Sequence, residues 1–212
     1  MTGKTATCLG GRDLRALFNA ARFLVGATAP TQLPPDVGYE VAFAGRSNAG
    51  KSSALNRLCD RRGLARISKQ PGRTQQINLF ALDAPATRRL VDLPGYGFAK
   101  VPHQQRRRWE QLVGHYLMDR SSLRGLVLVM DIRHPLRERD WMLLDWVQGR
   151  ALPVHCLLTK ADKLKRGARQ RAVQEVREAV ASHAATAQVF SATEGTGVQV
   201  LREQVAGWLD WP

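Results

Sequence analysis

The chain has 212 residues, of which 44% are hydrophobic and 24% charged, and its formal net charge is +14. This length predicts one domain with a substantial core, and no apolar run approaches the ~20 residues that cross a bilayer. No apolar segment of signal-peptide length opens the chain, and its three cysteines form no Cys-x-x-Cys pair. These features favour the reducing cytoplasm and argue against a disulfide framework or a zinc site. The excess of positive charge favours a polyanionic partner.

The first 37 residues are predicted to form a helix and a proline-containing linker that pack on a domain formed by residues 38–212. The helix is indicated by apolar residues at helical spacing. These residues are Leu14, Leu17, Phe18, Ala21, Leu24 and Val25.

A phosphate-binding pattern follows the first predicted strand, Tyr39–Ala44. The pattern G-x-x-x-x-G-K-[ST] and the residue after it comprise Gly45, Arg46, Ser47, Asn48, Ala49, Gly50, Lys51, Ser52 and Ser53. Glycines let the backbone N–H groups of such a loop turn toward a phosphate. Lys51 is expected at the β- and γ-phosphates, and the Ser52 hydroxyl is expected to bind Mg²⁺. A glycine-rich turn that binds nothing is the alternative, and the matching motifs downstream disfavour it.

A long basic loop, residues 60–73, precedes Thr74. Such loops are uncommon unless they are functional, and the Thr74 hydroxyl can complete a Mg²⁺ shell when a γ-phosphate is present. The alternative is a disordered surface loop. The two interpretations are compatible, because a switch loop is disordered in one of its two states. We predict that five residues of this segment contribute to the nucleotide site: Gly72, Arg73, Thr74, Gln75 and Gln76.

The strands predicted at Gln76–Asp83 and Thr87–Leu93 are joined by a short turn, which indicates an antiparallel hairpin. Asp92 closes the second strand, where P-loop nucleotidases place a carboxylate that holds Mg²⁺. Leu93, Pro94 and Gly95 follow it, and the Gly95 N–H can approach a γ-phosphate because no side chain intervenes. A plain β-turn is the alternative interpretation.

Further strands are predicted at Gly125–Asp131, Val154–Thr159 and Ala187–Ser191, and amphipathic helices alternate with them. The helical stripes comprise Trp109, Leu112, Val113, Tyr116 and Leu117; Ala172, Val173, Val176, Ala179 and Val180; and Val198, Leu201, Val205, Trp208 and Leu209. This alternation predicts a mainly parallel, doubly wound sheet. The motifs all fall at the carboxyl ends of strands, where such folds bind ligands.

A motif that can read guanine follows the strand at Val154–Thr159. It consists of Thr159, Lys160, Ala161 and Asp162. A carboxylate here accepts hydrogen bonds from the ring N–H and the amino group of guanine, whereas adenine would leave it unpaired. The Lys160 stem can lie along the base. The segment Phe190, Ser191 and Ala192 is predicted to offer a backbone N–H to the guanine carbonyl. In isolation, Thr-Lys-x-Asp is more often a helix N-cap.

The motifs together resemble those of Ras-like P-loop GTPases and, more narrowly, of the EngB/YihA family of bacterial ribosome-assembly GTPases. The resemblance runs from about residue 12 to near the C-terminus. The matching stretches are 40–53, 71–75, 91–100, 131–135 and 158–164. The resemblance implies a three-layer α/β fold with helices on both faces and an extra N-terminal helix. Its sheet is expected to be mostly parallel and six-stranded, with one antiparallel edge strand.

The resemblance also implies a Mg²⁺-dependent switch that hydrolyses GTP to GDP and phosphate during assembly of the large ribosomal subunit. Family members are further associated with normal cell division and septation. The expected partners are guanine nucleotides and the RNA and proteins of the large-subunit precursor, with no DNA and no membrane. The expected state is a cytoplasmic monomer. The implied catalytic set is Asn48, Lys51, Thr74 and Gly95, and the implied metal ligands are Ser52, Thr74 and Asp92.

Three positions refine this expectation. Tyr96 replaces the glutamine that orients the attacking water in Ras, so we expect slow intrinsic hydrolysis that a partner stimulates. Thr159 replaces the usual asparagine of the base-reading motif, while Asp162 is kept. The Asn48 carbonyl is a candidate ligand for K⁺ beside the phosphates. Alternatively, Asn48 simply suits a left-handed turn.

Two other functions remain open at this point. The first is an RNA-binding assembly scaffold in which the nucleotide only stabilises the fold. The second is a P-loop ATPase or kinase, which Asp162 disfavours. Basic clusters near the motifs favour RNA contact over a merely solvated face. The clusters are Arg61, Arg62, Arg66, Lys69 and Arg73; Arg106, Arg107 and Arg108; and Lys163, Lys165, Arg166, Arg169 and Arg171.

Overall fold

The computed structural model describes residues 11–65, 76–97 and 103–211. The strands are β1 (Arg22–Ala27), β2 (Tyr39–Gly45), β3 (Ile77–Ala81), β4 (Arg88–Asp92), β5 (Leu123–Asp131), β6 (Val154–Thr159) and β7 (Ala185–Val189). The helices are α1 (Gly11–Asn19), α2 (Lys51–Leu58), α3 (His103–Asp119), α4 (Glu138–Gln148), α5 (Arg166–Ala179) and α6 (Val198–Trp208). No helix within these described ranges is long and apolar enough to span a membrane.

The seven strands form one sheet in the order β1-β3-β4-β2-β5-β6-β7. Strands β4, β2, β5, β6 and β7 are mutually parallel, and β3 is antiparallel to both of its neighbours, β1 and β4. The predicted α/β class and mostly parallel sheet are confirmed, as are all six predicted strands and the β3–β4 hairpin.

Strand β1 corrects three details of the sequence-based prediction. The sheet has seven strands instead of six, and β1, not β3, forms the edge. The leading helix ends at Asn19 instead of continuing through Val25. The physical reason is that β3 would otherwise have an unpaired edge, and the β-forming run 22–27 supplies its backbone partners. Phe23 lies opposite Phe80, and the two rings meet edge-on with centroids 6.0 Å apart.

The core has two halves, one on each face of the sheet. Along β2, the side chains of Val41 and Phe43 face one half and those of Ala42 and Ala44 face the other, as the period of a strand requires. Helices α1, α2 and α6 contribute to the first half, and α3, α4 and α5 contribute to the second. The structure therefore has three layers.

Helix α4 has no counterpart among the predicted stripes. Its run Trp141–Val147 is apolar nearly all round the helix, so a helical period does not stand out. Leu143, Leu144 and Val147 are nevertheless buried against the sheet. The other predicted stripes lie on α3, α5 and α6, and the α3 stripe is buried throughout.

Candidate nucleotide site

The phosphate loop connects the carboxyl end of β2 to the first turn of α2. Asn48 and Gly50 have left-handed backbones, with φ values of 65° and 95°. A Cβ atom on Gly45 would lie 2.5 Å from the Val129 carbonyl oxygen, so only glycine lets the loop leave β2 this close to β5. The loop thus has the curled path that presents N–H groups to an anion, and α2 adds the positive end of its dipole.

Side chains of the base-reading motif hold one side of this loop by donating hydrogen bonds to its main-chain carbonyls. The Thr159 hydroxyl donates to the Ala49 carbonyl and lies 3.0 Å from the Met130 carbonyl. Lys160 Nζ donates to the Asn48 carbonyl at 2.6 Å. The threonine that stands in place of asparagine therefore still ties the end of β6 to the phosphate loop.

Asp131 belongs to this arrangement, although sequence reasoning gave it no role. Its carboxylate pairs with Lys160 Nζ at 3.0 Å and accepts two hydrogen bonds from the Arg133 guanidinium, at 2.9 and 2.6 Å. The Arg133 hydrogen bonds, supported by Lys160, hold the pKa of the Asp131 carboxyl well below its usual range. The sequence signal for Asp131 was its position at the end of β5. This strand lies between β2, which leads into the phosphate loop, and β6, which ends at Thr159.

The other side of the loop is joined to the segment after β4. The Ser47 N–H donates to the Tyr96 carbonyl at 2.8 Å, and Arg46 and Tyr96 form a parallel bridge. The Tyr96 side chain is only 2% exposed, and its hydroxyl donates to Asp140 Oδ1 at 2.5 Å. Its ring also meets Trp109 edge-on at 5.5 Å. Burial, reinforced by the Asp140 carboxylate, raises the pKa of Tyr96 well above its usual value. Tyr96 is therefore a structural anchor and is not placed to orient a water.

The predicted phosphate and metal residues within the described ranges lie together. Lys51 Nζ forms an ion pair with Asp92 Oδ1, and both side chains are largely buried. Ser52 follows Lys51 in the first turn of α2. The Gln76 side chain lies against Gly26 of β1. Four predicted residues fall outside the described residues: Gly72, Arg73, Thr74 and Gln75.

The residues of the predicted base pocket lie where β6 and β7 end side by side. Asp162 Oδ1 accepts a hydrogen bond from the Ser191 hydroxyl at 2.8 Å, and Lys163 Nζ lies 3.1 Å from Oδ2. The Ser191 hydrogen bond, followed by that from Lys163, lowers the pKa of the Asp162 carboxyl, so this group is ionised at neutral pH. Each carboxylate oxygen keeps a further lone pair for a ligand N–H group.

The segment 190–192 is held mainly through its backbone. Phe190 is fully buried, and its carbonyl accepts the Ala161 N–H at 3.1 Å. The Ser191 N–H donates to the Thr196 carbonyl at 3.0 Å. The backbone N–H groups of Ser191 and Ala192 are the two candidates to donate to a guanine carbonyl. Because the Ser191 N–H is already hydrogen-bonded within the protein, the Ala192 N–H is the better candidate.

One cavity lies beside these elements, and a larger groove lies away from them. The smaller, of about 180 Å³, lies beside the phosphate loop and is lined by residues that include Arg46, Asn48, Asp131 and Lys160. A larger groove, of about 400 Å³, lies between β1 and the β3–β4 turn and involves none of the motif residues. The smaller cavity lies among the strand-end loops that carry the motif residues, so it belongs to the candidate site.

Comparison with known proteins agrees with this geometry. Residues 40–160 match the family model described as 50S ribosome-binding GTPase. The chain is 50% identical over 193 residues to a probable GTP-binding protein EngB of Coxiella burnetii, covering 90% of this chain and 93% of that protein. The chain belongs to the EngB family of GTP-binding proteins. An EngB relative from Shewanella loihica is 52% identical over 191 residues, which cover 87% of each chain.

Solved structures show the same fold at lower sequence identity. A crystal structure of a probable EngB protein matches with a TM-score of 0.65 and 22% identity, covering 82% of this chain and all of that one. Aquifex aeolicus Era bound to GDP and AlF4⁻ matches with a TM-score of 0.64 and 20% identity, covering 80% and 56% of the two chains. As an EngB-family member, this protein is a P-loop GTPase that binds guanine nucleotides.

Proposed function

We propose that this protein is a Mg²⁺-dependent GTPase switch in assembly of the large ribosomal subunit. One observation carries the proposal. The phosphate loop, the Asp92–Gly95 segment and Asp162 meet at one edge of the sheet, because each follows a strand of the same parallel set. The proposal also includes a cytoplasmic monomer whose first 37 residues pack on a GTP-binding domain of residues 38–212. It further includes the family's association with cell division and septation.

The proposed nucleotide contacts follow from the placement of the side chains. Lys51 meets the β- and γ-phosphates, Gly95 offers its N–H to the γ-phosphate, and Asp162 reads guanine. The oxygens of Ser52 and Asp92 fit Mg²⁺, which prefers hydroxyl, carboxylate and phosphate oxygens. When bound, the ion supplies positive charge that neutralises the phosphate oxygens. The Lys51–Asp92 ion pair keeps both charged groups beside that position.

Slow intrinsic hydrolysis is part of the proposal. The residue after Gly95 is Tyr96, and its hydroxyl is committed to Asp140 inside the core. A group supplied by a partner would then orient the attacking water or stabilise the charge of the transition state.

Ribosomal RNA is the proposed polyanionic partner. Many cations of the basic clusters are exposed within the described residues, while Arg169 is paired with Glu194 at 3.0 Å. The exposed cations are Arg61, Arg62, Arg106, Arg107, Arg108, Lys163, Lys165, Arg166 and Arg171. Lys163, Lys165 and Arg166 follow β6, and Arg106, Arg107 and Arg108 lie in the first two turns of α3. RNA bound by these cations would lie beside the strand-end loops, so RNA contact and nucleotide state can influence each other. Arg61 and Arg62 lie at the opposite end of the sheet, where Arg61 donates to the Ala21 carbonyl. The family description as ribosome-binding supports the same partner.

Thr74 is the proposed link between the γ-phosphate and ribosome affinity. Replacing Thr74 with alanine removes the hydroxyl that would complete the Mg²⁺ shell only in the GTP state. We expect the variant to bind large-subunit precursors equally well with a GTP analogue and with GDP, whereas the parent protein prefers the GTP state. Co-sedimentation measures both affinities. A difference that persists in the variant would contradict this switch model.

Asn48 supports a proposed dependence on K⁺. Its backbone is left-handed and its side chain is exposed at the tip of the loop, beside the proposed phosphate position. We expect hydrolysis to be about tenfold faster in K⁺ than in Na⁺ at equal ionic strength, because a bound cation would stabilise transition-state charge. Single-turnover rates in the two buffers test this, and an Asn48→Ala variant should lose the difference. Equal rates in the parent protein would contradict the K⁺ site.

A constitutive RNA-binding scaffold is the second candidate. The burial of Tyr96 favours it, since a protein that uses nucleotide only for stability needs no water-orienting residue. This candidate predicts equal ribosome affinity in the GTP, GDP and nucleotide-free states, whereas the switch does not.

A further inference from the structure

Arg169 is one of the basic residues of α5, but its surroundings differ from those of Arg166 and Arg171 on the same helix. Those two side chains are exposed, whereas that of Arg169 is only 23% exposed. Its Nε donates to the Leu164 carbonyl at 2.8 Å, and its two terminal nitrogens lie 3.0 and 3.3 Å from the two carboxylate oxygens of Glu194. All three nitrogens of the guanidinium are therefore engaged within the protein.

The two partners of Arg169 belong to the two segments that would read the base in the proposed site. Leu164 ends the short turn after β6 that carries Asp162. Glu194 lies two residues after Ala192, in the loop that joins β7 to α6. A planar guanidinium fixes both the distance and the direction of the groups that its forked donors bind. One side chain of α5 thus joins the two segments.

Hydrogen bonds lead from Glu194 back to the base-reading carboxylate. The Glu194 N–H donates to the Ser191 hydroxyl oxygen at 3.1 Å, and that hydroxyl donates to Asp162 Oδ1 at 2.8 Å. Because Leu164 belongs to the same turn as Asp162, Arg169 closes this circuit. The direction of the Asp162 carboxylate therefore depends on Ser191, and the position of the Ser191 loop depends on Arg169.

We propose that Arg169 is a positioning residue for guanine recognition, acting through its ion pair with Glu194. It holds the loop of Ser191 against the turn of Asp162, so that the carboxylate stays directed at the ring N–H and the amino group of the base. This assignment rests on the proposed guanine site. In this role Arg169 contacts no nucleotide atom, and it is not one of the cations that meet RNA.

Backbone pairing limits the size of the expected effect. The Ala161 N–H donates to the Phe190 carbonyl at 3.1 Å, so the ends of β6 and β7 stay together without Arg169. Ion pairs that are partly exposed to water also contribute only modestly. Loss of the Arg169 side chain should therefore loosen the loop and leave the sheet intact.

The test compares equilibrium binding of GDP and of inosine diphosphate (IDP) to the parent protein and to Arg169→Gln. IDP lacks the amino group of guanine, so the ratio of the two affinities reports how well the Asp162 carboxylate meets that group. We expect Arg169→Gln to lower the affinity for GDP about fivefold and the preference for GDP over IDP about threefold. Glu194→Gln should give the same losses. The double variant should lose no more than either single variant, because both substitutions remove one interaction.

Arg171→Gln is the matched control for nucleotide binding. It removes an exposed arginine from the same helix, and within the described part of the chain this arginine makes no hydrogen bond or ion pair with either base-reading segment. The control should bind GDP and IDP as the parent protein does.

The other outcomes are distinguishable. Equal losses for GDP and IDP in Arg169→Gln would show that Arg169 supports only the fold, and would overturn the assignment. Unchanged affinities for both nucleotides would also overturn it, and weaker co-sedimentation of that variant with large ribosomal subunits would place Arg169 among the RNA-contacting cations. Losses that add in the double variant would show that the ion pair with Glu194 is not the connection. A parent protein that binds GDP no better than IDP would contradict the proposed guanine site itself.

Discussion

Replacing Asp162 with asparagine is expected to change the preferred nucleotide from guanine to xanthine. The carboxylate accepts the ring N–H and the amino group of guanine, whereas an asparagine amide can donate to the carbonyl that xanthine carries in place of that amino group. We expect the affinity for GDP to fall at least about a hundredfold, because polar groups of the pocket and base are left unpaired. Equilibrium binding of GDP and XDP measures the change.

The contacts of the Asp162 carboxylate explain why the expected loss of GDP affinity is large. The Ser191 hydroxyl and Lys163 both stabilise the ionised carboxylate and fix its direction. A Ser191→Ala variant provides the control, since it loosens the carboxylate without altering its charge. That variant should weaken binding while keeping the preference for guanine. Unchanged base preference in Asp162→Asn would mean that the base binds elsewhere.

Replacing Glu40 with glutamine is expected to cause a large loss of stability. Glu40 is fully buried at the start of β2, and its carboxylate pairs with Arg89 at 2.7 Å and with Arg120 at 2.8 Å. The Tyr116 hydroxyl donates to the same carboxylate at 2.6 Å. Removing the negative charge leaves the buried Arg89 guanidinium without a carboxylate and the buried Arg120 guanidinium with only Asp36, at 3.5 Å. We expect a cost of about 3–5 kcal/mol of a total unfolding free energy of about 5–15 kcal/mol.

Denaturant unfolding of both proteins measures this loss as a lower midpoint. The control is Glu110→Gln, which removes a solvent-exposed partner of Arg106 at 3.3 Å on α3. That substitution should change the unfolding free energy by no more than about 0.5 kcal/mol, because surface pairs are screened by water. Similar small losses in both variants would show that the Glu40 network is not a major source of stability.

The sequence predicted the parts of the site that depend on local pattern and strand order. The phosphate loop, Asp92 and Asp162 each follow an apolar run, and parallel strands bring such ends to one edge without further information. The same reasoning placed the core stripe of α3, whose residue spacing matches a helix with one buried face.

Features that depend on partners distant in sequence were not predicted. Strand β1 pairs with the otherwise free edge of β3, and its apolar residues Leu24 and Val25 also fit the helical stripe of α1, so the local pattern alone does not decide between strand and helix. The contacts of Asp131 with Lys160 and of Tyr96 with Asp140 join residues 29 and 44 positions apart. Tyr96 could act on a water only if its side chain were exposed. Its burial depends on packing against Trp109, which the sequence does not reveal.

The most direct test of the switch is co-sedimentation of the purified protein with large ribosomal subunits at two salt concentrations, loaded with a non-hydrolysable GTP analogue or with GDP. We expect binding that is at least about tenfold tighter with the analogue at both salt concentrations, because γ-phosphate contacts order the loops beside the basic clusters. Equal binding in the two states that simply fades with salt would indicate non-specific charge contact and would contradict the proposed switch.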